Sequence, residues 1–415
     1  MDQRRRFALL TEAAGLDRES GITTADGRVY GAAVGIAEVR VPGGRPTRLM
    51  RVMQTNACSL SCGYCPTYCG GNVRRTALRP DEVARTFMDA HRAGLAHGLF
   101  LTSGVPGRAV RAVDRMLDTL HLLRHREHFT GYVHVKLLPG AEPAQVDEAA
   151  RLASRISVNL EAPDDRSVRA LAREKDFTGD LLPKLEYAGR LFREARQARA
   201  AGEAPPPDSG GTAGGSTVTT QFVVGAVGER DRDILDVVAR LERQELLHHA
   251  HFSAFQPVIG TPMENLPATP ARRELRLYQA EHLLRDYGFR FDELAFEADG
   301  NLSLDHDPKS AWARAHPELF PVDVTRAPRE LLMRVPGIGP VAARRLVNAR
   351  RRTPLRFAAD LRRAGVDVAR AGWFLTLRGK RIASAPPLTQ LRLFAHGAHL
   401  TQAPYDTTVP PCAYR

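Results

Sequence analysis

Four of the chain's five cysteines fall inside one twelve-residue stretch, CSLSCGYCPTYC, as Cys58, Cys62, Cys65 and Cys69. The first three are spaced C-x3-C-x2-C. Three thiolates on one short loop can each ligate one iron of a [4Fe–4S] cluster, which leaves the fourth iron open to a substrate or cofactor. Bacterial ferredoxins use C-x2-C-x2-C instead, and their clusters are fully ligated and only pass electrons. A structural zinc site on all four cysteines is the plainer reading. Zinc sites usually pair two separated knuckles, however, and no second knuckle is present here. Cys69 is open to three roles: a free thiol, a fourth ligand or a catalytic thiol. Cys412 stands alone near the C-terminus and reads as a free thiol.

A second chemistry lies in LLMRVPGIGPVAARRLVNARR, residues 331–351. The pattern is a helix ending at Val335, a Pro336-Gly337-Ile338-Gly339 hairpin, and a second helix from about Pro340. Glycines let a backbone come close to a phosphate, and amides at a helix N-terminus point at an anion. Gly337, Ile338 and Gly339, with Arg344 and Arg345, are therefore the candidate nucleic-acid contacts. Such contacts hold the phosphate backbone without reading sequence. The plainer reading is a helical hairpin for docking a protein. Charge argues for the polyanion. The chain carries +12 overall, and the segment from Arg326 to Arg381 holds 15 basic and 3 acidic residues, so it carries that whole excess.

These residues need elements to position them. The 415 residues exceed one typical domain, so a large domain with an appended module is expected. Residues 1–45 read as an N-terminal extension. From residue 46, six short apolar runs (49–56, 97–104, 131–140, 154–163, 219–228 and 251–260) alternate with helical stretches such as PDEVARTFMDAHRAG. That alternation predicts βα units and a parallel sheet. The fold class expected is α/β: a partial (β/α)6 TIM-type barrel over 46–300, with a C-terminal all-α helix-hairpin-helix module over 326–382. The cysteines follow the first strand, on the loop at its C-terminal end, where such barrels place their active sites. Residues 198–217, rich in Pro, Gly and Ala, predict a flexible insertion. Residues 301–325 read as a connector and 383–415 as a tail without a legible signal. No apolar run reaches membrane-spanning length, and the N-terminus lacks the apolar core of a signal peptide. A cytoplasmic, reducing compartment is expected, where clustered cysteines bind metals or clusters rather than form disulfides.

Cys58, Cys62, Tyr64 and Cys65, after a first barrel strand, resemble the signature of the radical S-adenosylmethionine (SAM) superfamily. With the C-terminal hairpin, stretches such as TNACSLSCGYC, GLFLTSGV, SVNLEAP, LAREKD and SAFQPVIGTPME resemble radical SAM proteins associated with DNA modification or repair. The resemblance covers roughly residues 5–385; the insertion and Cys69 depart from it. It implies a [4Fe–4S] cluster on Cys58, Cys62 and Cys65, S-adenosylmethionine on the open iron, and a 5′-deoxyadenosyl radical that takes a hydrogen atom from the substrate. It implies an electron donor such as flavodoxin or ferredoxin, DNA as partner, and Cys69 as a non-ligand. Residue by residue, it places Tyr64 by the adenine, Ser103 and Gly104 at the methionine amino group, and Glu161 on the ribose hydroxyls. The glutamate common after the second strand elsewhere in the superfamily is missing from Thr102-Ser103-Gly104. Plainer readings make Ser103 a turn residue and Glu161 a helix N-terminal acid. His134 and Lys136 share one face of the third strand, as Ser253 and Phe255 do on the sixth. An inward Lys136 would meet the cofactor carboxylate or an anionic substrate, and an outward one is a solvated charge; Gln221 has the same ambiguity. Two other functions fit the sequence. One is a radical enzyme on a small molecule or protein, with the tail used for docking. The other is a DNA-binding protein with a structural or redox-sensing cluster.

Overall fold

A computed structural model describes residues 2–15, 35–39, 47–203 and 217–383. Two compact units divide the chain. One holds Met1–Glu229 and Arg240–Pro270; the other holds Arg230–Ala239 and the described chain from Ala271 onward.

The first unit begins with α1 (Gln3–Gly15), β1 (Ile36–Val39) and β2 (Thr47–Met53). Then come α2 (Pro80–Arg92), β3 (Gly98–Thr102), α3 (Ala109–His121), β4 (Tyr132–Leu137), α4 (Pro143–Leu152) and β5 (Arg155–Val158). The series continues with α5 (Asp165–Leu171), α6 (Leu182–Ala200), β6 (Thr217–Val224) and β7 (His249–Ala254); between β6 and β7 the chain forms α7 (Asp231–Arg243), whose residues up to Ala239 belong to the second unit. Local signals start several helices. Pro80 and Pro143 occupy first-turn positions, and the Asp164 carboxylate accepts the Ser167 amide at the head of α5.

Strands β2 to β7 pair in parallel, each with the next, and β1 adds an antiparallel edge to β2. The two end strands do not pair, so the barrel is partial, as expected. Its core lies on the outer face, where Leu99, Leu101, Val133, Val135, Ile156 and Phe252 are all buried. Alternate positions carry a different set, with Arg51, His134, Lys136, Ser157 and Gln221 on the inner face. The six parallel strands follow the six apolar runs read from the sequence.

Three sequence expectations are redrawn. Residues 1–45 are more than an extension, because α1 packs on β2 and β1 joins the sheet. The stretch 198–217 is not all insertion: α6 continues to Ala200 and β6 starts at Thr217, while residues 204–216 lie outside the described residues. The compact units divide at Pro270, not at residue 300. The expected tail, including Cys412, lies outside the described residues from 384 onward.

The second unit contains α8 (Ala271–Tyr287), α9 (Pro308–Ala315), β8 (Val322–Asp323), α10 (Arg329–Arg334) and α11 (Pro340–Arg352). It ends with α12 (Ala358–Arg363), α13 (Val368–Ala371), β9 (Leu375–Leu377) and β10 (Lys380–Arg381). The connector's aromatics pack here, with Trp312 edge-on to Phe289 at 5.4 Å and the Arg334 guanidinium 3.8 Å over the Phe289 ring. The helical module also contains a small sheet, β10-β9-β8, that local pattern did not reveal. Its strands are two or three residues long, too short for a period-two signal.

Candidate functional site

The cysteine loop leaves the C-terminal end of β2. The Gly63 amide donates to the Leu171 carbonyl (2.8 Å), and the Ser61 hydroxyl to Glu174 (2.8 Å). Arg75 clamps the loop from inside: its guanidinium donates to the carbonyls of Asn56 (2.6 Å), Thr67 (2.8 Å) and Tyr68 (2.6 Å). One planar fork thus satisfies carbonyls that no strand or helix takes up.

Cys58, Cys62 and Cys65 are free thiols, whereas Cys69 is held in a disulfide. Cys58 sulfur accepts the Val105 amide at 3.5 Å, and Cys65 sulfur lies 3.2 Å from the Thr67 hydroxyl. Burial pushes the Cys62 thiol up to about 12, against the pull of Lys175, and raises Cys65 as well. Buried thiols in this setting become thiolates when a metal centre supplies the positive charge.

Glu161 stands at the exit of β5 with φ +67°, the left-handed region that a non-glycine residue enters only when its surroundings hold it there. Those surroundings are backbone bonds to β6: its amide to the Gln221 carbonyl (2.9 Å), and the Val223 amide to its carbonyl (2.8 Å). Its buried carboxylate accepts Lys175 Nζ at 2.7 Å on Oε1. Burial alone would raise Glu161, but Lys175 and then Lys136 outweigh it and hold the carboxyl below its ordinary value. Lys175 is raised in turn: burial opposes its charge, and Cys62 and Glu161 prevail. Lys175 also donates to the Tyr64 hydroxyl at 3.4 Å. Burial, then Glu161, raises the Tyr64 phenol. Tyr64 also favours the charged form of Glu161, yet Glu161 Oε2 is buried and makes no well-formed hydrogen bond. Such an acceptor fits a hydroxyl donor.

Ser103 and Gly104 press against the cysteine loop. A Cβ on Gly104 would stand 2.3 Å from the Ala57 carbonyl oxygen, so only glycine fits, and its amide donates to the Thr55 carbonyl at 2.7 Å. The Ser103 hydroxyl donates to the Gly104 carbonyl at 2.7 Å, the behaviour of a turn residue. The structure therefore gathers Cys58, Cys62, Tyr64, Cys65, Ser103, Gly104 and Glu161 around one end of the sheet. Lys175, from REKD, and Arg75 were not singled out by residue type or spacing. The role of Lys175 depends on Glu161, fourteen residues back, and Tyr64, more than a hundred back, and that of Arg75 on loop carbonyls that carry no side-chain signal.

The donors suit a cluster better than a single ion. Among the described residues no group of three or more His, Cys, Asp or Glu side chains is gathered to hold a metal ion. Cluster ligands bind different irons and need not converge on one point. The buried thiols and the orphaned Glu161 oxygen fit a [4Fe–4S] cluster and the hydroxyl-bearing half of S-adenosylmethionine.

In the second unit, α10 and α11 flank the hairpin. Gly337 has φ +83°, and a Cβ there would meet the Asp367 carbonyl oxygen at 2.7 Å. The Asp367 amide donates back to the Gly337 carbonyl at 3.0 Å, joining the hairpin to α13. Ile338 is buried, and its carbonyl accepts Lys309 Nζ at 2.6 Å. Lys309 also lies 4.6 Å over the Tyr287 ring, and burial lowers it to about 7. Arg344 and Arg345 are exposed on α11. Among the described residues, no acceptor takes the amides of Gly337 and Gly339. Ile338 thus anchors the hairpin inward.

Residues 52–195 match the Radical SAM superfamily model. The chain resembles the solved structure of methylornithine synthase (PylB), with 16% identity over 64% of this chain and 67% of that one, TM-score 0.42. It also resembles HydG, a maturase of the [FeFe]-hydrogenase, at 14% identity over 57% and 49%, TM-score 0.40. A third likeness is to TsrM, a radical SAM methyltransferase from Kitasatospora setae, at 15% identity over 55% and 39%, TM-score 0.38. The chain spans about half or less of the latter two. No curated protein matches it. Residues 52–195 carry a radical SAM domain, which makes the chain an enzyme, and the cofactors of that superfamily are a [4Fe–4S] cluster and S-adenosylmethionine. Among the described residues, no helix is long and apolar enough to cross a membrane.

Proposed function

We propose that this enzyme acts on nucleic acid, DNA in preference to RNA, and modifies or repairs a base. The observation that carries the reading is the hairpin: Gly337 and Gly339, whose amides meet no acceptor among the described residues, sit inside the one segment that holds the chain's whole positive excess. Arg344 and Arg345, exposed on the helix that follows, add charge for neighbouring phosphates. In the barrel, Cys58, Cys62 and Cys65 would hold the cluster. Tyr64, Ser103, Gly104 and Glu161 would hold S-adenosylmethionine, with Lys175 keeping the Glu161 carboxylate charged. Bound together and reduced by a flavodoxin or ferredoxin, these cofactors supply radical chemistry that begins with abstraction of a hydrogen atom. The protein's part is to bind, orient and exclude water.

The test is fluorescence anisotropy with labelled duplex DNA, and RNA of the same sequence, across a salt series. Wild type should bind with affinity falling steeply as salt rises. Replacing Arg344→Gln and Arg345→Gln should flatten the log–log slope by about 0.9 for each phosphate no longer neutralised, roughly 2 in all. Binding that ignores salt, or a slope unchanged in the double variant, would sink the assignment. Tighter RNA binding would reverse the stated preference.

A further inference from the structure

The basic segment carries an aromatic side chain that the fold does not use. Of the phenylalanine, tyrosine and tryptophan side chains among the described residues, Phe357 alone is exposed, at 68%. It stands at the end of the loop Thr353-Pro354-Leu355-Arg356-Phe357, between α11 and α12. Leu355, two positions earlier, is buried and seats the loop on the core. Phe357 occupies the N-cap of α12 with extended backbone (φ −132°, ψ 156°), where serine, threonine, aspartate or asparagine would accept an amide. A phenyl ring accepts none. The Asp360 carboxylate caps the helix instead, taking the amides of Arg356 and Phe357, each at 2.9 Å. The backbone under the ring is therefore fixed, and the ring itself supplies neither a cap nor core packing.

The second observation is the charge around it. From Pro340 to Phe357 the chain has six arginines and no acidic residue. On α11 the exposed positions Val341, Arg344, Arg345, Asn348, Arg351 and Arg352 recur at helical spacing, while Ala342, Ala343 and Leu346 are buried. One face of the helix thus runs from the hairpin to the Phe357 loop. Its four arginines form no ion pair among the described residues, whereas Arg363 on α12 pairs with Asp360 at 3.5 Å. The 13 residues of α11 make this track about 20 Å long, roughly six phosphate steps of a stacked strand.

A flat apolar ring at the end of a row of guanidinium groups suits a polyanion that also offers a flat apolar surface. A nucleic-acid base is such a surface. In a duplex its faces are hidden in the stack; in an unpaired nucleotide they are open, and an aromatic side chain stacks on them whatever the base. We infer that Phe357 stacks on an unpaired base, so that a strand held along α11 is recognised where the duplex is open. This rests on the nucleic-acid reading and narrows its substrate to DNA that contains unpaired nucleotides. Such a substrate also suits chemistry on a base, because a base must leave the stack before an enzyme can reach it, and an unpaired one does so at the least cost.

The experiment is fluorescence anisotropy with the full-length, anaerobically reconstituted protein at one salt concentration. The probes are a labelled, fully paired DNA duplex and the same duplex with a central bubble of about six mismatched pairs, within the range that one single-strand site covers. Wild type should bind the bubble about five-fold or more tighter than the paired duplex. Phe357→Ala should remove that preference and leave affinity for the paired duplex within about two-fold of wild type. Phe357→Trp, a larger ring, should keep or increase the preference, and Phe357→Leu, apolar but not planar, should lose most of it. The thermal midpoint reports folding, and Phe357→Leu decides the matter if Phe357→Ala does not fold. The inference is overturned if the folded Phe357→Ala keeps the preference, or if Phe357→Leu matches wild type, the mark of an apolar contact with something other than a base face. Salt-dependent binding of both probes with no preference for the bubble would overturn this inference alone. No binding of either probe would overturn the nucleic-acid reading with it.

Discussion

The cysteine loop and the Pro336–Gly339 hairpin are built alike and serve opposite ends. Each has a glycine forced by a backbone carbonyl: Gly104 against Ala57 and Gly337 against Asp367. In each, a cationic side chain donates to loop carbonyl oxygen, the half-buried Arg75 at the first and the buried Lys309 at the second. The difference lies in where the chemistry points. The first loop turns Cys62 and Tyr64 inward, beside the buried Lys175–Glu161 pair. The second buries Pro336 and Ile338 and leaves Arg344 and Arg345 exposed. One loop suits charge that must be kept from water; the other leaves its charge at the surface, as the proposed binding of a polyanion requires.

The largest effect expected is at the inward loop. Cys62→Ala removes the most buried of the three thiols. Reconstituted variant protein should lose the visible absorbance of the cluster and all production of 5′-deoxyadenosine from S-adenosylmethionine under dithionite. DNA affinity should stay within two-fold of wild type, since independent sites behave additively to about 0.5 kcal/mol. A variant that retains cluster and product would break the comparison at its first term.

The next effect tests whether the two glycines are equivalent. Gly104→Ala drives a methyl into the Ala57 carbonyl at 2.3 Å, backbone against backbone. It should cost about 1–3 kcal/mol of stability and displace the cysteine loop, seen as reduced iron content. Gly337→Ala combines positive φ with a 2.7 Å approach to Asp367, so it should destabilise by about 1–3 kcal/mol. Its functional effect should appear in DNA affinity and not in iron content. If both variants lose the same property, the two loops are not separate devices.

What was legible in the sequence divides along the same line. The six strands, the cysteines and the hairpin announce themselves locally, through period, spacing and glycine. Tyr64 and Glu161 were reached through resemblance, and the structure brings both to Lys175. Lys175 itself is one more charged residue in LAREKD until the fold carries it to Glu161. Lys309 was equally silent, because nothing near it in the chain shows that it ends under Ile338, twenty-nine positions on. The antiparallel strand β1 and the division at Pro270 were hidden for a related reason. Short edge strands and unit boundaries are decided by long-range contacts, which periodicity does not report.

The smallest effect is the pH dependence that Lys309 gives the second loop. Burial lowers its pKa from the ordinary 10.5 to about 7. The charged groups acting on it are Asp307, which favours the ammonium, and Arg370 and Arg334, which oppose it. Below about 7 the folded and unfolded chains both carry the proton, and the cost of burying charge is fully present. Between about 7 and 10.5 the unfolded chain keeps a proton that the folded chain has shed, so stability rises with pH through that window. Urea midpoints measured at several pH values from 7 to 10 should therefore show wild type gaining on Lys309→Met as pH increases. A constant difference between the two proteins across that range would mean that Lys309 stays charged under Ile338. The second loop would then hold a permanent cation, as the first does in the half-buried Arg75, and the contrast between them would rest on the exposed arginines alone.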